Sequence, residues 1–360
     1  MYDFLKKDYL KLNKPYTFAQ QKRKKYFGMP NIQFALFGAV LLLLFIGKIP
    51  GIVPTDIITT LFNVMMYAIM AIGFCMLLGY AGLASLGTAG FVGIGVYSAY
   101  FVMERWGLTF GLALVLAVLI AVGVGIAVGF ISLRIEGIYL AIITLGVSEI
   151  LAFAFKALAS SLSLTAANRK LFFIKLGITN MQGAVYVIGV IVLVALLIMS
   201  NNLIKSPTGR AMIAMKNSTA AAQAMGISLM KYRLLAFVIS VIYAAVAGVI
   251  YFLYIGSFQA TDLLLTITTS LNILGAVIIG GATSLWGAIF GVFIIYGLNT
   301  ILMSYVPFFR QNGDIMTIIT GLLIIIIVMF YAGGFNQLIN SIRFRINAKR
   351  KLRRLLSNGE

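Results

Sequence analysis

Few side chains in this chain can carry chemistry, and their types decide which chemistry. There is no histidine and Cys75 is the only cysteine, which removes zinc sites, Ser-His-Asp and Cys-His nucleophiles and disulfide frameworks together. No metal, no cofactor and no catalytic residue are expected. The ionisable pair inside apolar sequence is Glu149 and Lys156, seven residues apart and so about two helical turns apart on one face. An ionisable group at membrane depth is by default a functional group, and this pair can bracket a site. Equally, Lys156 can snorkel outward while Glu149 bonds a neighbouring helix. Asp56, Asp262 and Asp314 each stand just before an apolar run, where N-caps are found. No relay of ionisable groups joins these residues, which counts against coupling to an ion gradient.

The elements that must position these residues are apolar throughout. The chain has 360 residues, 61% hydrophobic and 10% charged, with mean hydropathy +1.04. Soluble domains carry about a quarter charged residues, so this chain cannot clothe a water-facing surface and belongs in a bilayer. A helical span needs about 20 mostly apolar residues, and ten such runs are present. They cover Asn31 to Ile49, Ile57 to Leu78, Ala84 to Met103, Phe110 to Leu133, Gly137 to Ala157, Val185 to Ile204, Tyr232 to Ile255, Leu263 to Gly280, Leu285 to Val306 and Ile315 to Ala332. The expected fold is an all-α polytopic membrane protein of about ten spans.

Charge then sets the orientation. The formal charge of +19 is segregated into three stretches. One is the N-terminal segment from Lys6 to Lys25, one the loop from Lys205 through Arg210, Lys216 and Lys231 to Arg233, and one the tail from Arg343 to Arg354. A nucleic-acid module would instead show a basic face on a polar, soluble surface, so no nucleic-acid partner is expected. Basic loops face the cytoplasm, and ten crossings return both termini and the 205–233 loop to that side. The chain divides into a basic N-terminal extension (1–30), a transmembrane domain (31–335) with a cytoplasmic loop at 205–233, and a basic tail (336–360). The first apolar run lies behind a long basic segment with no convincing cleavage site, so no signal peptide is expected. The extension either lies on anionic lipid as a short helix or is disordered.

Thirty-six glycines set these spans apart from plain anchors. They cluster at Gly79, Gly82, Gly87, Gly90, Gly93 and Gly95, and again at Gly275, Gly280, Gly281, Gly287 and Gly291. Small residues allow close helix packing and also breaks in a helix that lines a cavity; two dense clusters point to broken helices. The text Gly82-Leu83-Ala84-Ser85-Leu86-Gly87 is echoed by Gly281-Ala282-Thr283-Ser284-Leu285-Trp286-Gly287 with one insertion, as in transporters built from duplicated halves with a site near the midplane. The Lys-Ser/Thr of a phosphate-binding loop is absent, so ATP cannot bind by that route.

The 205–233 loop carries Ser206-Pro207-Thr208-Gly209-Arg210-Ala211-Met212 and then Ala220-Ala221-Ala222-Gln223-Ala224-Met225-Gly226-Ile227. The Ala-rich piece predicts a short helix ended by Gly226. With Ala221, Ala222 and Gly226, it resembles the coupling segment of ABC-importer permeases. Further blocks, in order, are Gly79-Tyr80-Ala81-Gly82-Leu83, Tyr139-Leu140-Ala141-Ile142, Thr144-Leu145-Gly146, Glu149-Ile150, Gly209-Arg210-Ala211, Leu234-Leu235-Ala236-Phe237 and Leu285-Trp286-Gly287. Over roughly residues 57 to 332 this series resembles the branched-chain amino acid ABC-importer permease family, in particular its larger M-type subunit.

The resemblance implies a transport subunit in a bacterial plasma membrane. Its partners would be a second permease subunit, two ABC ATPase subunits and an extracytoplasmic solute-binding protein, with ATP hydrolysed on the ATPases and solute moved by alternating access. It implies coupling through Gly209, Arg210, Ala221, Ala222 and Gly226, and a solute pathway at Gly82, Ser85, Thr144, Glu149 and Ser284. Two departures stand out. A Thr-Gly-Gly type loop is replaced by Leu164-Thr165-Ala166-Ala167-Asn168, and acidic residues of the coupling segment by Thr219 and Gln223. Leucine, isoleucine or valine is the expected solute, its carboxylate met by free N–H groups at the positive ends of broken helices. Urea or a short amide is the alternative within the family, and an ion-gradient-driven secondary carrier the alternative outside it.

Overall fold

A computed structural model describes residues 29–47, 54–132, 138–161, 178–258 and 265–305, with strand pieces between 164 and 175 and single helical positions between 318 and 334. The extension before residue 29, the tail 336–360, Asp262, Asp314 and most of the tenth apolar run lie outside the described residues.

Each of the first nine apolar runs coincides with a helix. In chain order these are α1 (Met29–Ile46), α2 (Thr55–Cys75) continued by a π turn (Met76–Tyr80), α3 (Thr88–Tyr100) continued by a π turn (Phe101–Arg105), α4 (Phe110–Ser132), α5 (Ile138–Ser161) and α6 (Ile178–Lys205). Two short helices, α7 (Pro207–Asn217) and α8 (Thr219–Ala224), precede α9 (Leu229–Ile255). Then come α10 (Ile267–Gly280), α11 (Leu285–Val292) with a π turn (Phe293–Gly297), and α12 (Leu298–Tyr305). Helices dominate because a backbone in hydrocarbon must satisfy its polar groups within its own segment. Among the described residues five helices are long and apolar enough to cross a bilayer, Thr55–Tyr80, Phe110–Ser132, Tyr139–Leu158, Gln182–Lys205 and Leu229–Ile255, with shorter apolar helices at Asn31–Ile46, Ile267–Gly280 and Leu285–Ile301. The chain is an all-α, multi-pass membrane protein.

The innermost helix is α3, buried at every residue from Thr88 to Tyr100; beside it α2 and α9 contribute the fully buried Phe62, Met66, Ile69, Phe74, Phe237, Tyr243 and Phe252. Helix α9 crosses α3 backbone to backbone: a Cβ on Gly95 would overlap the Ala245 carbonyl, and one on Gly248 the Val92 carbonyl. Helix α4 turns Ala113, Ala117, Ala121, Gly125 and Gly129 inward at every fourth residue and leaves Leu112, Val115, Leu119 and Phe130 exposed. Apolar side chains gain nothing by leaving lipid for protein, so a stripe of small residues permitting close van der Waals contact is what docks such a helix.

One end of the bundle is polar and gathers several helix ends. Asn201 donates from Nδ2 to Asn31 Oδ1 at 2.7 Å, placing the start of α1 beside the end of α6, and Phe34 stacks on Trp286 with ring centroids 5.2 Å apart. The start of α1 and the start of the 205–233 loop therefore lie at the same end of the bundle. Elsewhere β1 (Leu164–Thr165) pairs antiparallel with β4 (Ser257–Phe258), Leu164 opposite Phe258. A second pair joins β2 (Lys170–Leu171) to β3 (Ile174–Lys175). Asp56 is not an N-cap: Pro54 holds that position without a side-chain bond and Asp56 sits in the first turn of α2, where its charge meets the positive helix end.

Candidate functional site: two paired helix breaks

The span Thr55–Tyr80 has 26 residues, about 39 Å of helix against a hydrocarbon layer of about 30 Å. The break that follows it meets the end of α7, whose Lys216 donates to the Gly79 carbonyl, so it lies at the end of the bundle that carries the 205–233 segment. The chain turns at Gly82, φ 73°, runs non-helical to Gly87 and re-enters helix at Thr88. The second break turns at Gly281, φ 100°, and re-enters helix at Leu285. Only glycine takes such backbone angles without a Cβ penalty.

The sequence echo is a structural echo. Gly82 and Ser85 correspond to Gly281 and Ser284, and in each break the serine Oγ accepts from a following glycine N–H. Gly87 donates to Ser85 at 3.3 Å and Gly287 to Ser284 at 3.1 Å. The breaks also touch. Cys75 Sγ donates to the Ala282 carbonyl at 2.9 Å and Tyr80 Oη to the Thr283 carbonyl at 2.7 Å, while a Cβ on Gly79 would overlap the Ala282 carbonyl.

The N–H groups around the start of α3 are already taken. Leu86 N–H donates to Thr144 Oγ1 at 3.0 Å, Ala89 N–H to Ser270 Oγ at 3.0 Å and Gly90 N–H to Ser148 Oγ at 2.8 Å. In this arrangement those three donors are bonded within the protein. Ser148 and Ser270 were not singled out in the sequence, although Thr144 and Ser148 are spaced one helical turn apart on α5, between the buried Leu140 and Ala152.

Gly82 and Ser85 lie in the first break, Thr144 bonds that break at Leu86, and Ser284 lies in the adjoining break. Glu149 stands apart. It lies with Tyr139, Ile142, Ile150 and Phe153 on the exposed side of α5, and Lys156 is exposed as well. An apolar cleft of about 270 Å³ between α1, α2, α6 and α11 is lined by residues such as Leu41, Leu61, Met65, Leu193 and Trp286. Such a lining offers a charged amino acid no partners, so burial there would be costly.

The 205–233 segment is built by local capping. Ser206 caps α7, its Oγ accepting from Gly209 N–H at 3.3 Å, with Pro207 at the first helical position. Gly209 is buried where a Cβ would overlap the Leu203 and Ile204 carbonyls, whereas Arg210 is exposed and donates to the Lys205 carbonyl at 3.3 Å. Ser218 caps α8. The helix ends as predicted at Gly226, φ 79°, with Ile227 N–H bonded to the Ala222 carbonyl and Gly226 N–H to that of Gln223, a Schellman motif. Met212, Met215 and Ala222 face the bundle, while Ala221, Gln223 and Met225 are exposed, Met225 by 82%.

Known proteins with similar sequences give this geometry its context. The chain is 26% identical over 292 residues to the high-affinity branched-chain amino acid transport system permease protein LivM of Escherichia coli (strain K12), covering 73% of this chain and 66% of that protein. LivM of Salmonella typhimurium is 26% identical over 289 residues with the same coverage. The probable ABC transporter permease protein YphD of Escherichia coli (strain K12) is 29% identical over 130 residues, 35% of this chain and 37% of that protein. The chain thus matches slightly less than two thirds of the length of the LivM proteins. No solved structure matches it. The family described as branched-chain amino acid transport system / permease component matches residues 57–328, which takes in both helix breaks and the α7–α8 segment. The chain belongs to that family of transport permeases.

Proposed function

We propose that this chain is the permease subunit of an ATP-driven importer that moves leucine, isoleucine or valine across a bacterial plasma membrane by alternating access. The observation that carries the reading is the α7–α8 pair. One face, with Met212, Met215 and Ala222, is anchored in the bundle, while Ala221, Gln223 and Met225 project from it. A soft, exposed methionine beside small residues suits a socket on an ATPase subunit. The segment sits at the end of the bundle where both helix breaks lie, so a push on it reaches the helices that must repack.

The cytoplasm is the side we assign to that end, from its basic clusters. A second permease chain is supported by Glu149: a carboxylate in the middle of a span costs roughly 3 kcal/mol against lipid, so the exposed face of α5 belongs against protein or water. A solute-binding protein would deliver to the opposite end. The decisive test reconstitutes the co-purified complex in proteoliposomes and measures ATP-dependent uptake of labelled leucine, urea and ribose in parallel. Saturable leucine uptake, competed by isoleucine and valine, is expected. Urea uptake without leucine uptake or competition would overturn the solute, and gradient-driven uptake by the chain alone would overturn the class.

A further inference from the structure

Lys216 stands in the last turn of α7, with its body exposed and its ammonium turned toward the bundle. Its Nζ donates to the Gly79 carbonyl at 2.6 Å. Gly79 lies in the π turn that closes α2. The last carbonyls of a helix lack intrahelical partners and carry the negative end of its dipole, so a cation there both satisfies an orphan acceptor and complements the charge. Such charge-assisted bonds are short and strong.

The stem of the same lysine crosses the turn itself. A Cβ on Gly82 would come within 3.0 Å of Lys216 Cγ and 3.5 Å of its Cβ, so the aliphatic chain lies where other residues would carry a side chain. The far side of Gly79 is pressed against Ala282, and the neighbouring Cys75 and Tyr80 bond the Ala282 and Thr283 carbonyls. An unbroken line of contacts thus runs from α7 through Lys216 to the first break and from there to the second. Among the described residues no other side chain of α7 or α8 hydrogen-bonds either break.

We propose that Lys216 is the strut of the transport cycle: the positioning residue through which displacement of the α7–α8 pair is carried into the two paired breaks. The geometry suits the task. The bond joins a side chain on a surface helix to the end of a largely buried span, and packed helices respond to such a pull by switching between discrete arrangements rather than by deforming. A contiguous path is not by itself evidence of coupling, so the strut must be tested as coupling. It rests on the importer reading above.

The test uses the full complex in proteoliposomes, with Lys216→Met, which keeps the stem and removes the donor, and Lys216→Arg, which keeps the charge. ATPase retention, ATP hydrolysis and uptake are measured together, with whichever of leucine or urea the wild-type complex transports. The expected result for Lys216→Met is retained ATPase and hydrolysis with uptake per ATP lowered about tenfold or more, within the range of ordinary coupling energies, and partial recovery in Lys216→Arg. Unchanged uptake per ATP in Lys216→Met would overturn the strut. So would loss of the ATPase subunits, which would make Lys216 a docking residue, or loss of the folded complex in Lys216→Met with wild-type behaviour in Lys216→Arg, which would make it a structural one. Failure of the importer reading is seen separately, as absence of ATP-dependent uptake in the wild-type complex.

Discussion

Tyr80 and Thr283 are 203 positions apart in the chain, yet the Tyr80 hydroxyl donates to the Thr283 carbonyl at 2.7 Å. The bond ties the end of the second span to the break before α11. It also satisfies a carbonyl that no helix uses, since Thr283 lies between α10 and α11. Removing it should loosen the pairing without unfolding the spans. Tyr80→Phe is expected to cost about 1 kcal/mol, the net worth of one such bond, read as a lowered melting temperature in detergent. An unchanged melting temperature would show that the bond does not hold the breaks together.

Thr144 caps the first break from α5, accepting from Leu86 N–H while its hydroxyl donates to the Leu140 and Ala141 carbonyls at 3.0 Å. Thr144→Val keeps the shape and leaves a part-buried N–H without a partner, so a loss of about 1 kcal/mol is expected. Thr144→Ser should recover most of it. Equal melting temperatures for the Val and Ser variants would contradict the capping role.

Glycines in these helices divide by what a Cβ would meet. At Gly248 it would overlap the Val92 carbonyl, whereas at Gly123 nothing lies within 4 Å. Gly248→Ala should abolish the folded, monodisperse protein because α3 and α9 cannot separate without losing the core. Gly123→Ala should be neutral or stabilising, by up to about 1 kcal/mol of helix propensity. Parallel expression and gel filtration of the two variants decide the point.

On the α8 knob, Ala221→Glu and Met225→Glu change exposed positions, while Ala222 is buried against the bundle. The first two variants are expected to fold normally and lose the ATPase subunits on pull-down. Ala222→Glu should disturb α8 itself. Gly226→Val meets no atom within 4 Å and is penalised only by its left-handed backbone, about 1–2 kcal/mol. Full ATPase retention in Met225→Glu would remove the knob from the interface.

Orientation is checked with a single cysteine at Asn217, exposed at the end of α7, in a Cys75→Ser background. An impermeant thiol reagent should miss it on intact cells and label it after permeabilisation. Ready labelling on intact cells would reverse the assignment of sides. Cys75 is itself fully buried and bonds Ala282, so serine is the replacement that keeps the donor.

The fold class was legible because hydrocarbon leaves the backbone so few options: apolar runs of span length become helices, and nine of the ten runs could be located as such. Local signals were legible for the same kind of reason. Ser206 before Pro207, Ser218 before an alanine run and Gly226 after it are caps written in consecutive residues, and each acts as one. The Gly82 and Gly281 breaks were visible as clusters, since a chain that must turn inside tightly packed helices has almost no other residue to use.

What the tertiary structure alone decided is how distant pieces meet. Composition gave no sign that the two breaks touch, that Ser148 and Ser270 take the N–H groups around the start of α3, or that Glu149 and Thr144, five residues apart on α5, lie on different faces in different surroundings. The family resemblance points to Gly209, Arg210, Ala221, Ala222 and Gly226 for coupling, and in the sequence Lys216 is one more basic loop residue. Charge at a position is local information, readable from a single letter. Which carbonyl that charge reaches depends on the packing of helices more than a hundred residues away in the chain, and that packing is set by small residues and close contacts whose partners no single stretch of sequence names.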